Sequence, residues 1–366
     1  MRKSVVSLVL YLSLGLVPNL FGRVEDIENN SNIVETALNL STWMTDNYDK
    51  IKDKELRNLV IPGTHDSGTA LISEKNAVVS SDKGIPATLA KIASQKLVGW
   101  SKTQDLTIRK QLEIGVRFFD FRISFEKEGK NNSYTLYLSH GLRGEKLDDV
   151  LADIRDFAKN NPREIIIIKF KSFDDEKCKK ENLNKLIAAK FKKYLEDFII
   201  QRQDIDVQLP LATVKKLVNT KKSIIVLVEI KRGFRSHCKQ AESTLNSEDF
   251  LFDAEKFLGS PWGNKQSVPD LVKYTLTQAK DYAPNGKYSN KLYSLHWTLT
   301  ANVKYIVSHL TNNEGIRYLT AKLNGQKEYN KDYSLGTVLK NVERVNIVQQ
   351  DFITPEKTEP LIRMNW

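Results

Sequence analysis

The sequence predicts an α/β protein, and three observations favour a single β/α barrel over two domains. Short apolar runs typical of strands recur along the chain and alternate with longer stretches of helical spacing. With 366 residues, of which 40% are hydrophobic, the chain can bury one large core or two modest ones. No low-complexity linker or internal repeat interrupts it, so we expect parallel strands joined by crossover helices.

Each predicted strand is an apolar run with a recognisable boundary. Residues 59–61 are followed by the strand-breaking pair Pro62 and Gly63, and residues 116–123 are rich in aromatic and β-branched side chains. Residues 164–170 read EIIIIKF, a continuous apolar run typical of a strand covered on both faces. The predicted strands, in chain order, cover residues 59–61, 116–123, 136–138, 164–170, 224–230, 292–296 and 345–348.

The predicted helices are stretches whose apolar residues recur at helical spacing. In residues 145–160, Leu147, Val150, Leu151 and Ile154 lie on one face. The predicted helices between the strands cover residues 145–160, 177–200, 248–258 and 268–279.

The N-terminal region predicts export. Residues 1–22 have a basic start and then an apolar run that is too short to span a bilayer comfortably, which is typical of a secretory signal peptide. An uncleaved anchor is the alternative. We expect residues 23–40 to form an N-terminal extension and the protein to be secreted, to the extracellular space or the periplasm. Cys178 and Cys238 form at most one disulfide, and their spacing fits no metal site.

Charge favours an anionic partner. The formal net charge is +11, and cleavage of the signal removes only Arg2 and Lys3 from that excess. We find no basic-aromatic recognition motif or zinc framework, so we do not expect a nucleic acid partner, and an anionic membrane lipid fits an exported basic protein better. A possible amphipathic helix over residues 85–100, which includes Ile92 and Trp100, is predicted either to touch a membrane or to pack in the core.

Two histidines share one sequence context. His65 and Asp66 follow a predicted strand and a Pro-Gly break, and His140 follows the apolar run 136–138 and precedes Gly141. A histidine of this kind, taken alone, is explained better as a hydrogen-bonded residue near the core. The repeated context favours a pair of reactive groups, because parallel barrels display their chemistry at the carboxyl ends of strands.

The strand between the two histidines carries an acid and a base on one face. Strand side chains alternate, so Asp120 and Arg122 share a face with Phe118. A simple ion pair is the alternative explanation. The strand ends together carry two histidines, two acids and two cations, a set that indicates a site for a polyanion; these residues are His65, Asp120, Arg122, His140, Lys171 and Asp351.

Several segments of the chain resemble the bacterial phosphatidylinositol-specific phospholipase C proteins and their eukaryotic single X-domain relatives. The resemblance begins at STWM (residues 41–44) and covers most of the mature chain in the order that the family requires. It continues through IPGTHDSGT, TQDLTIRKQLEIGVRFFDFR, SHG, DFAKNNPREIIIIKFK, SIIVLVEIKR and VNIVQQDFITPEKTEP. It implies a single-domain, distorted TIM-like β/α barrel over residues 41–366 that cleaves phosphatidylinositol to diacylglycerol and 1,2-cyclic inositol phosphate.

The resemblance also implies a role for each candidate residue of the reaction. His65 would be the general base, oriented by Asp351, and His140 the general acid, kept protonated by Asp120. Arg122 would neutralise charge on the phosphate, steadied by Asp66. These six residues are the predicted catalytic set: His65, Asp66, Asp120, Arg122, His140 and Asp351.

Metal and substrate contacts follow from the same comparison. Calcium-dependent relatives carry an acidic residue where Arg122 stands, an asparagine at the Asp66 position and a glutamate near Lys171, so we predict no metal and no cofactor. Lys171 and Lys169 would bind inositol hydroxyls, and Trp297 could line the pocket. We expect a monomer that acts on membrane phosphatidylinositol or glycosylphosphatidylinositol.

Two other functions compete with this reading. A metal-dependent phosphodiesterase of related barrel type, for glycerophosphodiesters or sphingomyelin, would need an acidic metal cluster that the histidine motifs lack. A non-catalytic inositide-binding barrel would have lost a histidine or the arginine, whereas His65, Arg122 and His140 are all present.

Overall fold

A computed structural model describes residues 37–73, 75, 94–128, 133–172, 183–230, 239–309, 315–324 and 333–366. The predicted signal peptide, both cysteines and residues 85–93 lie outside these ranges. Leu38–Trp366 form one compact unit. None of the described helices is both long enough and apolar enough to cross a bilayer.

The strands form two sheets. Their bounds are β1 Ile61–Thr64, β2 Phe118–Phe121, β3 Ile123–Glu128, β4 Ser133–His140, β5 Leu142–Lys146, β6 Ile166–Lys171, β7 Ile224–Glu229, β8 Leu251–Asp253, β9 Leu258–Gly259, β10 Leu292–Trp297 and β11 Ile347–Gln350. Eight parallel strands follow the order β8-β7-β6-β2-β1-β11-β10-β9, and β3, β4 and β5 form an antiparallel sheet. The predicted α/β barrel-like class is therefore confirmed, as a curled parallel sheet.

The helices connect the strands as a β/α fold requires. Their bounds are α1 Trp43–Asp46, α2 Tyr48–Ile51, α3 Ser94–Ser101, α4 Ile108–Glu113, α5 Leu147–Asn160, α6 Leu183–Leu195, α7 Val214–Asn219, α8 Lys239–Ser247, α9 Ala254–Phe257, α10 Val268–Tyr282, α11 Val303–Ser308, α12 Ile316–Asn324, α13 Leu335–Lys340 and α14 Pro355–Arg363. Helix α5 confirms the helix predicted over residues 145–160, although it begins two residues later, at Leu147.

Alternation along the strands divides the core into an inner and an outer part. In β6, Ile167 lies in the inner apolar cluster with Phe118 and Ile225. Its neighbours Ile166 and Ile168 lie in the outer cluster, against the helices. The continuous apolar run of β6 is thus buried on both faces, as expected. The same alternation turns every second residue at the strand ends toward the interior of the curled sheet.

Three predicted elements were wrong. The strand predicted over residues 59–61 instead begins at Ile61, and Pro62 and Gly63, which were expected to end it, lie inside β1. Residues 248–258 were predicted as one helix, but they contain β8 and the four-residue helix α9, with β9 beginning at Leu258. Strand β4, which ends at His140, is not a strand of the parallel sheet, because it pairs antiparallel with β3 and β5. The helix error arises because two very short strands and one helical turn carry no periodicity, and the sheet error arises because a short apolar run does not reveal which strand it will pair with.

A buried ion pair fixes the N-terminal segment at the end of the sheet opposite to His65. Arg117 and Glu164 are fully buried, and the guanidinium donates through Nε (3.0 Å) and Nη2 (2.8 Å) to Glu164 Oε2. Glu164 Oε1 accepts from the backbone and hydroxyl of Thr45, and Arg117 Nη2 donates to the Ser41 carbonyl at 2.6 Å. The STWM segment is therefore anchored to the buried ion pair through Ser41 and Thr45.

Candidate active site

The loop after β1 presents His65 and Asp66 above the inner face of the sheet. Asp66 has φ 42°, a left-handed conformation that non-glycine residues seldom adopt. Gln104 holds this loop by donating from Nε2 to the carbonyl oxygens of His65 (3.2 Å) and Gln350 (2.9 Å). The side chains of both loop residues are almost fully buried, so the fold fixes their positions.

His65 lies between two carboxylates. Its Nδ1 is 3.0 Å from Asp351 Oδ1, and its Nε2 is 3.2 Å from Asp66 Oδ2. Burial disfavours the imidazolium, but the carboxylates of Asp66 and Asp351 outweigh it and raise the pKa of His65 to about 9. Because a carboxylate only accepts, the hydrogen bond to Asp351 places a proton on Nδ1. Loss of the second proton therefore leaves a lone pair on Nε2.

Asp66 joins both histidines to the arginine. Its Oδ1 accepts a 2.5 Å hydrogen bond from Arg122 Nε, and its Oδ2 lies 3.4 Å from His140 Nε2. Burial raises the pKa of this carboxyl group, but the positive charges of Arg122, His65 and His140 lower it by more, so the net shift of the pKa is downward. Asp66 therefore stays ionised, and its contact with Arg122 is the one that the sequence predicted.

His140 approaches from the antiparallel sheet. Its Nδ1 lies 3.1 Å from the carbonyl oxygen of Ser101, which can only accept, so Nδ1 carries a proton and Nε2 faces the site. The ring centroids of His65 and His140 are 6.2 Å apart. The antiparallel sheet that carries His140 packs closely against the loop that carries His65. A Cβ at Gly144 would lie 2.1 Å from the Gly68 carbonyl oxygen, so β5 approaches this loop only because residue 144 is glycine.

The predicted contact between Asp120 and His140 was wrong. Asp120 is paired in register with Lys169 on the neighbouring strand, and its Oδ1 lies 3.1 Å from Lys169 Nζ. His140 belongs to the other sheet and has Asp66 as its acidic partner. The sequence could not reveal this exchange, because it depends on which sheet carries β4.

A second group of charged side chains, Lys169, Lys171 and Glu229, lies at the ends of β6 and β7. Lys169 Nζ is also 3.1 Å from Glu229 Oε2, and Lys171 Nζ is 3.2 Å from Glu229 Oε1. Burial opposes the charge of Glu229, but the two ammonium groups lower its pKa to about 2. Burial likewise opposes the charge of Lys169, yet Asp120 and Glu229 raise its pKa.

Trp297 does not line this site. It is 1% exposed, belongs to a third apolar cluster with Tyr293 and Leu295, and donates from Nε1 to Asn324 Oδ1 at 3.0 Å. Strand alternation explains the error, because the inward residue of that strand end is its neighbour His296. His296 Nε2 lies 2.7 Å from Ser260 Oγ, and burial together with the charges of Lys169 and His65 keeps the pKa of His296 well below its usual value.

Trp262 is the aromatic residue that the sequence analysis missed. Its ring stacks on His65 with centroids 4.9 Å apart, and it is 38% exposed. It lies on the connection after β9, the strand that was predicted as helix. The sequence signal that could have identified it is the Pro-Trp-Gly run at residues 261–263, which places an aromatic side chain in a turn-forming segment. Trp100, by contrast, is buried in the same third apolar cluster as Trp297, which favours the packing alternative for its helix.

Among the described residues, His65, Asp66 and Asp120 bring ligand atoms within 4.8 Å of one another and could in principle hold a metal ion. The set fits a hard cation poorly. Asp66 is already paired with Arg122 and Asp120 with Lys169, so a cation would have to displace two positive groups. Calcium also prefers oxygen ligands to imidazole.

Together, the fold and these contacts define a β/α barrel in which two histidines, an arginine and buried carboxylates come together beside the carboxyl ends of the parallel strands. Comparison with known proteins agrees. The family model described as phosphatidylinositol-specific phospholipase C, X domain, matches residues 91–230. PI-PLC X domain-containing protein 2 is 30% identical in its human form, over 67% of this chain and 74% of the relative. The mouse form is 28% identical over 85% of this chain and 83% of the relative.

Two bacterial enzymes have solved structures with a similar fold. The phosphatidylinositol-specific phospholipase C from Listeria monocytogenes superposes with a TM-score of 0.54 at 21% identity, over 90% of this chain and 99% of the other. One from Staphylococcus aureus, from a study of membrane binding, gives a TM-score of 0.51 at 17% identity, over 90% and 98%. The chain belongs to the PI-PLC X domain family.

Proposed function

We propose that this protein is a calcium-independent phospholipase C that cleaves phosphatidylinositol by intramolecular attack. The observation that carries the proposal is the arrangement around Asp66, whose carboxylate contacts Arg122 through one oxygen and approaches His65 and His140 through the other. Two imidazole Nε2 atoms and one guanidinium thus converge on one small region. Acid–base cleavage of a phosphodiester needs this set of groups.

His65 acts as the general base. In its neutral form Nε2 accepts the proton of the inositol 2-hydroxyl, and the hydroxyl oxygen attacks phosphorus in the same molecule. Asp351 holds the ring through Nδ1 and stabilises the imidazolium that forms. Because the pKa of His65 is raised to about 9, the fraction of enzyme with a neutral base is small at neutral pH and rises in mild alkali.

His140 acts as the general acid. Its protonated Nε2 transfers a proton to the diacylglycerol oxygen as the bond from that oxygen to phosphorus breaks. The products are diacylglycerol and 1,2-cyclic inositol phosphate, with His65 protonated and His140 neutral. Each proton transfer of this kind contributes about 10²- to 10⁴-fold. Asp66, rather than Asp120, is the carboxylate that lies beside His140, with Oδ2 3.4 Å from Nε2.

Arg122 takes the part that a metal plays elsewhere. Its guanidinium is fixed by the 2.5 Å bond to Asp66, and its side chain is 38% exposed, so it remains accessible to a phosphate. A planar fork of donors suits phosphate oxygens. The positive charges of Arg122 and Lys169 beside the candidate ligands support independence from calcium.

The headgroup binds toward β6 and β7. Lys171 and Lys169 donate to inositol hydroxyls there, and Trp262 covers one side of His65. The substrate is a membrane lipid, phosphatidylinositol or a glycosylphosphatidylinositol anchor, and the protein acts as a secreted monomer at the membrane surface. The basic charge and the apolar N-terminal segment support this location.

Three variants test the proposal on phosphatidylinositol vesicles with a chelator present. His65→Ala and His140→Ala should each lose at least about 10²-fold in kcat, with unchanged circular dichroism. His309→Ala is the matched control and should retain full activity, because His309 stacks on Tyr305, outside the cluster. Wild-type turnover retained in either site variant would refute the assignment of base and acid.

A further inference from the structure

The ends of β2, β6 and β7 carry a four-residue charge cluster that the reaction itself does not use. Lys169 bridges Asp120 and Glu229 at 3.1 Å each, and Glu229 reaches on to Lys171 at 3.2 Å. The register explains the arrangement, since Asp120 lies opposite Lys169, and Lys171 lies opposite Glu229. Acid and base therefore alternate along the chain of ion pairs, in the order Asp120, Lys169, Glu229, Lys171.

The cluster is electrically balanced. Two ammonium groups and two carboxylates give a formal sum of zero, and Glu229 compensates both lysines at once. A patch built to hold phosphate would instead leave cations uncompensated. Asp120 and Lys169 are nearly buried, with side chains 7% and 9% exposed, whereas Glu229 and Lys171 are 32% and 37% exposed. A headgroup that enters this region therefore meets Glu229 and Lys171 first.

A neutral polyol fits the exposed half of the cluster. An inositol hydroxyl accepts a hydrogen bond from Lys171 and donates one to Glu229, and both charges stay paired. A ring phosphate carries about −1.5 to −2 charge at pH 7. It would lie beside the Glu229 carboxylate and would have to break its ion pairs to reach the lysines, and like charges at such distances repel strongly in a partly buried site.

We propose that Glu229 is a selectivity residue that excludes inositol headgroups with a phosphate on the part of the ring that faces Lys169 and Lys171. This inference rests on the proposed phospholipase function. Rejection by an unfavourable charge is a recognised route to specificity. Glu229 thus makes the two lysines donors for hydroxyl groups and prevents them from acting as a phosphate site.

The test compares kcat/KM for phosphatidylinositol and phosphatidylinositol 4-phosphate, each at the same low fraction in phosphatidylcholine–detergent micelles. The wild type should prefer the unphosphorylated lipid by roughly 100-fold, and Glu229→Gln should reduce that ratio by at least about tenfold. Glu229→Asp keeps the charge and should keep the preference. Glu196→Gln removes the same charge at an exposed position on α6's C-terminal flank, and should leave the ratio unchanged.

A second variant guards against a folding defect in Glu229→Gln. Lys171→Gln leaves Glu229 less compensated and should sharpen the preference, the opposite direction from Glu229→Gln. A selectivity ratio is insensitive to a partial loss of folded enzyme, because both substrates report on the same molecules. An unchanged ratio in folded Glu229→Gln, or a wild type that cleaves both lipids equally, would overturn the inference.

Failure of the proposed function is recognised separately. If the wild type cleaves neither lipid, calorimetry with inositol 1-phosphate and inositol 1,4-bisphosphate replaces the kinetic ratio. Tighter binding of the monophosphate by the wild type, reduced in Glu229→Gln, would support selection by Glu229 even in a non-catalytic barrel. Equal binding of both compounds, or binding of neither, would contradict it.

Discussion

Replacing Asp351 by asparagine separates the two effects that this residue has on His65. Asp351 is 3% exposed, and its Oδ1 is 3.0 Å from His65 Nδ1. The amide is nearly isosteric but carries no charge, and its NH2 group can present a donor to Nδ1. The substitution therefore removes part of the field on the imidazole and favours the wrong tautomer, with little change in packing.

The size of the effect follows from the wild-type shift. The pKa of His65 rises from 6.5 to about 9 against the cost of burial, which corresponds to roughly 3 kcal/mol of preference for the imidazolium. Asp66 and Asp351 share this preference. We expect Asp351→Asn to lower the pKa of His65 by about 1 to 2 units, and to lower the maximal rate by about 10²- to 10⁴-fold as the base is misoriented.

The assay is the pH dependence of kcat/KM on phosphatidylinositol micelles, from about pH 5 to about pH 10. The acidic limb of the wild type reports the loss of a proton from His65 and should lie well above the usual histidine value. In Asp351→Asn the limb should move to lower pH while the plateau falls. An acidic limb at the same pH in both proteins, or a wild-type limb at or below 6.5, would refute the placement of His65 as a base held by two carboxylates.

Three further outcomes are expected. The raised pKa of His65 contributes stability that is fully present below 6.5 and is lost as the pH rises through about 9, so the unfolding free energy should fall by up to about 3 kcal/mol over that window, and by less in His65→Gln, as measured by urea titration. Arg122→Lys keeps the charge but not the fork, and should reduce kcat by at least about tenfold with unchanged melting temperature; full activity would contradict the role of the guanidinium. Arg117→Met leaves the buried Glu164 carboxylate without its cation and should lower the unfolding free energy by about 3–5 kcal/mol, most of which the double variant Arg117→Met with Glu164→Leu should restore. A loss below about 1 kcal/mol would show that Arg117 is not needed to compensate the buried charge of Glu164.

Much of the architecture could be predicted because strand and helix patterns are local. The run of β6 and the spacing of α5 specify both element and burial in a few residues. The position of Asp120 and Arg122 on the face of Phe118 follows from alternation alone. The segment around Leu258 failed because two very short strands flank one helical turn, and such pieces carry no periodicity.

The predicted site residues were located better than their partners. His65, Asp66, Arg122 and Asp351 come together as the motif order suggested. The partner of His140 depends on the pairing of β4 with β3, a long-range property that no local pattern contains. For the same reason, neither the stacking of Trp262 on His65 nor the double pairing of Glu229 could be predicted from the sequence.

The most direct test of the account is phosphorus NMR of the wild-type protein with phosphatidylinositol vesicles in excess chelator. We expect a water-soluble cyclic inositol phosphate as the first product, because the nucleophile is the substrate's own hydroxyl and Arg122 supplies the charge at phosphorus. Acyclic inositol phosphate as the first product, or turnover only after calcium is added back, would contradict it.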